Sequence, residues 1–228
     1  MLLSILILGK PLFALAKKVQ WHQLVTMIGP LHTEMAFMNT LGNILKDSGW
    51  TTIVSNAQIA RPGVAESLVS GHDVVRTKYI HQVTASTLHQ LQNQAYKDSG
   101  TDLMFGEWCS EMKDKSPTFH FWALVLKMEL ILLEFLRSIH SVDFQLYVTA
   151  MEKMMLCFFA LCHTHYIWWL SMHVFDIKML PAINPDIYQA FQELCCFVVS
   201  RTRNSLSSMG LDQRHKQQNK NVKWDVGF

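Results

Sequence analysis

Thr118–His140 reads TFHFWALVLKMELILLEFLRSIH, the most apolar stretch of the chain, and its reading decides the fold. On a helix, His120, Lys127, Glu134 and Ser141 recur every seventh position and form one narrow polar stripe. All other positions then face protein, which predicts a central core helix. Glu129 falls nearly opposite the stripe and is the best candidate for a buried acid. Such a group is ordinarily paired inside a core and only occasionally functional. A membrane span fits this stretch less well, because Lys127, Glu129 and Glu134 would each cost about 2.5–3.5 kcal/mol near a bilayer centre.

Working outward toward the C-terminus, Leu156–Val174 is also apolar but carries His163, His165 and His173, which again disfavour a membrane span. Asn184-Pro185 opens a helix expected over Asp186–Val199, with Asn184 as N-cap and Pro185 in the first turn. From Arg201 the composition turns basic and polar, which predicts a partly frayed tail over residues 201–228.

Toward the N-terminus, Glu107–Met112 reads as a short helix. His72–Lys97 reads as a long polar-rich helix with Val75, Tyr79, Val83, Leu88, Leu91 and Ala95 on its apolar face. Arg61-Pro62-Gly63 turns into a short helix over Val64–Val69. His32–Lys46 reads as an amphipathic helix with Met35, Met38, Leu41 and Leu45 inward, stopped by Gly49. Leu12–Trp21 could form a short helix. Met1–Ala16 imitates a secretion signal, but no positive charge precedes the apolar run and Lys10-Pro11 interrupts it. A buried strand over Leu2–Leu8, ending at a Gly-Lys-Pro turn, is the better reading.

The expected fold is therefore mainly α, a multi-helix domain with at most a short N-terminal strand. One domain over 1–228 is the simplest parse: a strand and short-helix segment to residue 30, a helical bundle over 31–200, then the tail. With 50% hydrophobic and 17% charged residues the chain should fold rather than remain disordered. A net charge of +2 is too weak to imply nucleic acid or an anionic membrane as partner. Only the basic tail could touch phosphate, and Trp224 is its sole indole for base stacking. Five cysteines, Cys109, Cys157, Cys162, Cys195 and Cys196, lack disulfide-framework spacing. They read as buried free thiols in an intracellular protein, nuclear or cytoplasmic.

Cys157-x4-Cys162-His163-x-His165 places metal-type ligands close together, yet zinc needs two ligand pairs converging. On one helix Cys157 and Cys162 would differ by about 140° and share no face. A buried thiol and histidine cluster is the expected reading, with no zinc. Gly-rich phosphate loops, G-x-S-x-G and HExxH are absent. No cofactor is expected.

Several stretches together carry a family resemblance: PLFALAKKVQW (11–21), GPLHTEMAFMNTLGNILKDSGWTT (29–52), HQVTAS (81–86), FWALVLKMELILLEFLRSIH (121–140), FFALCHTHYIWWL (158–170) and LDQRHKQQNKNVKWD (211–225). In this order they resemble a family of transposon-derived proteins multiplied in cnidarian, mollusc and fish genomes. Its members look like remnants of DDE-type transposases, an RNase H-like core interrupted by a helical insertion. The resemblance implies metal-binding acids where this chain has Gly9 (with Lys10 after it), Cys162 and Lys216, and a glycine where it has Trp224. His32, Glu34, His163, His165, Asp212 and His215 keep the pattern, without an assigned role. Two-metal phosphoryl transfer needs several converging carboxylates, so the expected outcome is a catalytically inactive relic. The chain begins at the first strand of that pattern and ends within its last motif, as a truncated element would. The alternatives are a recruited helical interaction module, or a membrane protein using 118–140 and 156–174.

Overall fold

The computed structural model describes residues 3–6, 25–71, 73–193, 197–200, 208–210, 212–214 and 216–217. Among these the protein is mainly helical, as expected. The described helices are α1 (Pro30–Leu45), α2 (Trp50–Asn56), α3 (Pro62–Val69), α4 (Val74–Asp98), α5 (Phe105–Lys115), α6 (Pro117–Ser141), α7 (Phe144–Ala160), α8 (Thr164–Ile183) and α9 (Pro185–Glu193). Four short strands make two antiparallel pairs. β1 (Leu3–Leu6) lies on β2 (Val25–Ile28) with Leu3 opposite Ile28. β3 (Val198–Ser200) lies on β4 (Ser208–Gly210) with Val199 opposite Met209. The expected helix Leu12–Trp21, the positions Gly9, Lys10, Cys195, Cys196, His215 and Trp224, and most of the basic tail lie outside the described residues.

The chain divides into two compact units, Met1–Ala36 with Glu134–Phe228, and Phe37–Leu133. In the first, aromatic side chains fill the centre. Phe144 stacks on Phe191 at 5.1 Å, and Tyr147 tilts against Phe197 at 4.9 Å and Phe135 at 5.4 Å. In the second, Leu45, Trp50, Val54, Ala65, Leu68, Ile80 and Val125 form the core. There α1 approaches the end of α3 so closely that a Cβ on Gly42 would collide with the carbonyl oxygen of Val69.

Four local readings need correction. The exposed face of α6 is wider than one stripe: Leu124, Leu130 and Arg137 join His120 and Lys127 in solvent, all within about 80° of Lys127. On α4 the buried face is Thr77, Ile80, His81, Thr84 and Ala85, while Val75, Tyr79 and Leu91 are exposed. The polar side chains on that face are small or paired: the Thr84 hydroxyl donates to the Ile80 carbonyl at 2.9 Å and His81 meets Glu129, while the Thr77 hydroxyl has no hydrogen-bond partner among the described residues.

The helix expected over Asp186–Val199 ends at Glu193, and Val198-Val199 enter β3, a conformation that β-branched residues favour. Its start is as expected, with Asn184 accepting from the Ile187 amide at 3.3 Å. Finally, Leu156–Val174 is not one apolar segment. α7 stops at Ala160 and α8 starts at Thr164.

The α7–α8 break is a Schellman turn. The His163 amide donates to the Phe158 carbonyl at 3.0 Å and the Cys162 amide to the Phe159 carbonyl at 3.2 Å, with Cys162 at φ 55. Glycine is favoured at that left-handed position, and cysteine disguised the stop. Cys162→Gly removes the Cβ penalty from an exposed residue and is expected to raise stability by about 1 kcal/mol in urea unfolding. A variant no more stable than the parent would contradict the left-handed assignment.

Candidate functional site

Gly29 leads directly into α1, and Pro30 takes the first helical position, where its missing amide hydrogen costs nothing. The amides of the first turn still need acceptors. They find one from the opposite end of the sequence. Asp212 Oδ1 accepts from Leu31 N at 3.1 Å and from Gln213 N at 3.0 Å. Its Oδ2 accepts from His32 N at 3.2 Å and lies 2.9 Å from His32 Nδ1. The negative charge also sits favourably at the positive end of the helix dipole.

Two glycines make the room. A Cβ at Gly29 would overlap the Asp212 carboxylate, and one at Gly210 would come within 2.9 Å of Oδ1 and 3.0 Å of Pro30 Cβ. Asp212 is buried, with 8% exposure, while His32 is half-buried. In the same unit, Tyr147 is fully buried, and burial together with the Asp212 charge pushes its phenol far above the ordinary tyrosine range. His140 Nδ1 lies 3.0 Å from the Ser208 carbonyl oxygen.

The structure therefore brings together His32 and Asp212, two of the six residues that keep the family pattern. Glu34 is buried on the same helix as His32. His163 and His165 lie elsewhere, at the start of α8. His163 is half-buried with its ring 5.9 Å from Phe158, and His165 is exposed. The expected cluster of buried thiols and histidines is not buried: Cys162 is exposed in the α7–α8 turn, Cys157 is half-buried, and Cys109 is the buried thiol among the described ones. The reason is the helix break, which turns Leu161 and Cys162 outward. Lys216 is exposed. Among the described residues, no group of three or more His, Cys, Asp or Glu is placed to hold a metal ion.

The second unit holds the expected buried acid. Glu129, with no exposure, shares a 2.9 Å hydrogen bond between its Oε1 and Nδ1 of His81, which is equally buried. Desolvation raises the Glu129 carboxyl above its ordinary range, and His81 opposes that rise only in part. Trp50 lies nearly parallel to the His81 ring at 6.2 Å and donates from Nε1 to the Thr84 hydroxyl at 3.0 Å. Trp50 also lines an apolar groove of about 670 Å³ that runs along α4 from Ile80 to Ala95 and is bounded by Phe119, Trp122 and Leu126. None of its lining residues is charged. The histidine partner was missed because His81 sits on a face without apolar periodicity, and the Thr77, His81, Thr84 spacing is the signal that could have found it.

No curated protein and no solved structure matches the chain. The family defined as Domain of unknown function (DUF8702) matches residues 89–228, from within α4 through the segment that contains Asp212, and the chain belongs to that family.

Proposed function

We propose that this protein is a catalytically inactive, transposon-derived relic of a metal-dependent strand-transfer enzyme. The observation that carries this reading is the engagement of Asp212. Both of its oxygens accept from backbone amides, and one also meets His32, inside a pocket walled by Gly29 and Gly210. A carboxylate so committed supports a helix start and has no oxygen facing an open metal position. Gly9, Cys162 and Lys216, at the positions where the resembled transposon-derived proteins have acids, support the same reading, since a lysine ammonium repels a cation. An intracellular location, nucleus or cytoplasm, fits three described cysteines that are free thiols. No helix among the described residues is long and apolar enough to cross a membrane. Contact with nucleic acid rests on the basic tail, where Arg214 and Lys216 are exposed.

The test incubates purified chain with labelled duplex DNA and Mn²⁺. The expected result is no cleavage or strand transfer above the protein-free blank. Cleavage that disappears in Asp212→Asn, a variant that keeps an acceptor at the helix start, would contradict the proposal.

A second reading, a helical interaction module, is favoured by the groove beside Trp50. From Ile80 to Ala95 it follows about 22 Å of α4, the length of about four turns of a partner helix laid along it. The uncharged lining fits the apolar face of such a helix. An uncharged polarity-sensitive dye should brighten on the wild-type protein and lose that signal in Leu91→Glu, whose side chain stands exposed on the rim. Equal signals from both proteins would count against it.

A further inference from the structure

α8 is apolar on two opposite sides. Leu170, Val174, Ile177 and Leu180 point inward. Trp168, Met172, Phe175, Met179 and Ile183 point outward, with 68%, 59% and 71% exposure at Trp168, Phe175 and Ile183. Successive helical residues turn by 100°, so these five fall within about 40° of one line, on the side away from the buried residues. A helix that is apolar all round is normally covered all round. We propose that the outer face of α8 is the interface of a homodimer, with a second copy of this chain packed antiparallel across it.

Three features of this face select a second copy as the occupant. The first is the spacing. Steps of four, three, four and four residues keep the five side chains on one continuous stripe of the helix. Under reversal about a twofold axis between Phe175 and Asp176, Trp168 meets Ile183 of the second copy, Met172 meets Met179, and Phe175 meets its own twin beside the axis. Such self-complementarity is the requirement for a twofold interface.

The second feature is area. Large aromatic side chains carry about 150–250 Å² each. The exposed parts of the five α8 residues therefore present on the order of 600 Å², the lower end of what each partner contributes to a stable interface.

The third is charge. The five stripe residues are uncharged, exposed His165 lies on the same line one turn before Trp168, and the charge nearest the axis, Asp176, is exposed at its edge. Closely apposed neutral faces need no partner of opposite charge.

Sedimentation equilibrium of the full chain tests this. The expected result is a dimer of twice the 26.3 kDa chain mass, with a dissociation constant of ~1 µM or tighter. Phe175→Glu should weaken association by about 30-fold or more while leaving the far-UV helical signal unchanged. Geometry supplies a second readout. In a background freed of native cysteines, Phe175→Cys should form a disulfide with its twin under mild oxidation. Trp168→Cys should not, because its twin would be about 22 Å away along the helix axes. A wild-type chain that stays monomeric at 100-fold above that constant would overturn the proposal, as would a Phe175→Glu variant that dimerises like wild type. So would a monomer that floats with phosphatidylcholine–phosphatidylserine vesicles, which would assign the face to lipid.

Discussion

His81→Ala is expected to destabilise the protein by about 3–5 kcal/mol, the range for removing one member of a buried ionisable pair. The substitution leaves Glu129 fully buried with neither oxygen bonded to a histidine, since Oε2 already has no hydrogen-bond partner among the described residues. It also empties the space beneath Trp50, whose ring now lies on the imidazole. Replacing both partners, in His81→Leu with Glu129→Met, should cost much less than the two single losses added together, because no polar group is then stranded. A pair of single variants that each lose under about 1 kcal/mol would show that the hydrogen bond contributes little.

The same pair makes stability depend on pH, and the sign follows from Glu129. Burial raises its folded-state carboxyl above its unfolded value, so the folded protein binds more protons than the unfolded chain. The stabilisation associated with that proton is fully present below the ordinary glutamate range and is lost as pH rises through the raised value. Glu129→Gln, which cannot ionise, should therefore flatten the decline in melting temperature as pH rises above the ordinary glutamate range. His81→Ala should steepen it, since the charge that opposed the rise is gone. Parallel profiles for the three proteins would contradict this assignment.

How much of this was legible in the sequence differs from element to element. α6 announced itself, because a long apolar run interrupted by charges at helical spacing has few other solutions, and Glu129 stood out as the acid on its inner side. Its partner did not stand out. A buried face made of Thr77, His81 and Thr84 offers nothing to a hydrophobicity pattern, while the exposed Val75, Tyr79 and Leu91 imitate an inward stripe. The α7–α8 turn was hidden for a different reason: its left-handed residue is Cys162 rather than glycine. β2, β3 and β4 are three or four residues long, too short for alternation to appear. Asp212 and His32 stand 180 residues apart, and no local signal joins positions so distant. The resemblance marked both as retained without saying that they meet. Gly29 and Gly210 acquire meaning only once the carboxylate between them is seen.

Asp212→Ala carries the second large expected effect. It removes the carboxylate acceptor shared by the amides of Leu31, His32 and Gln213 and by the His32 ring, leaving the His32 amide only the Gly29 carbonyl at 3.1 Å. Hydrogen bonds to a charged group are worth about 1.5–3 kcal/mol and a lost N-cap about 1 kcal/mol, so a total near 3 kcal/mol is expected after overlap between the two. Asp212→Asn keeps an acceptor oxygen but loses the charge at the helix start, and should cost about 1 kcal/mol. Gly29→Ala should behave like Asp212→Ala, because the new methyl group occupies the position of the carboxylate. Urea unfolding of the three variants gives the order directly, and a mild Gly29→Ala would show that the carboxylate has room to move.

Asp212 is held as a helix cap, and titration of the wild-type chain with Mn²⁺ tests that claim most directly, with free ion counted by electron paramagnetic resonance. The expected result is that the ion stays free, with no site tighter than about 1 mM, and that Asp212→Asn gives the same curve as wild type. A stoichiometric site well below that concentration, lost in Asp212→Asn, would contradict it and return the carboxylate to the role of a metal ligand.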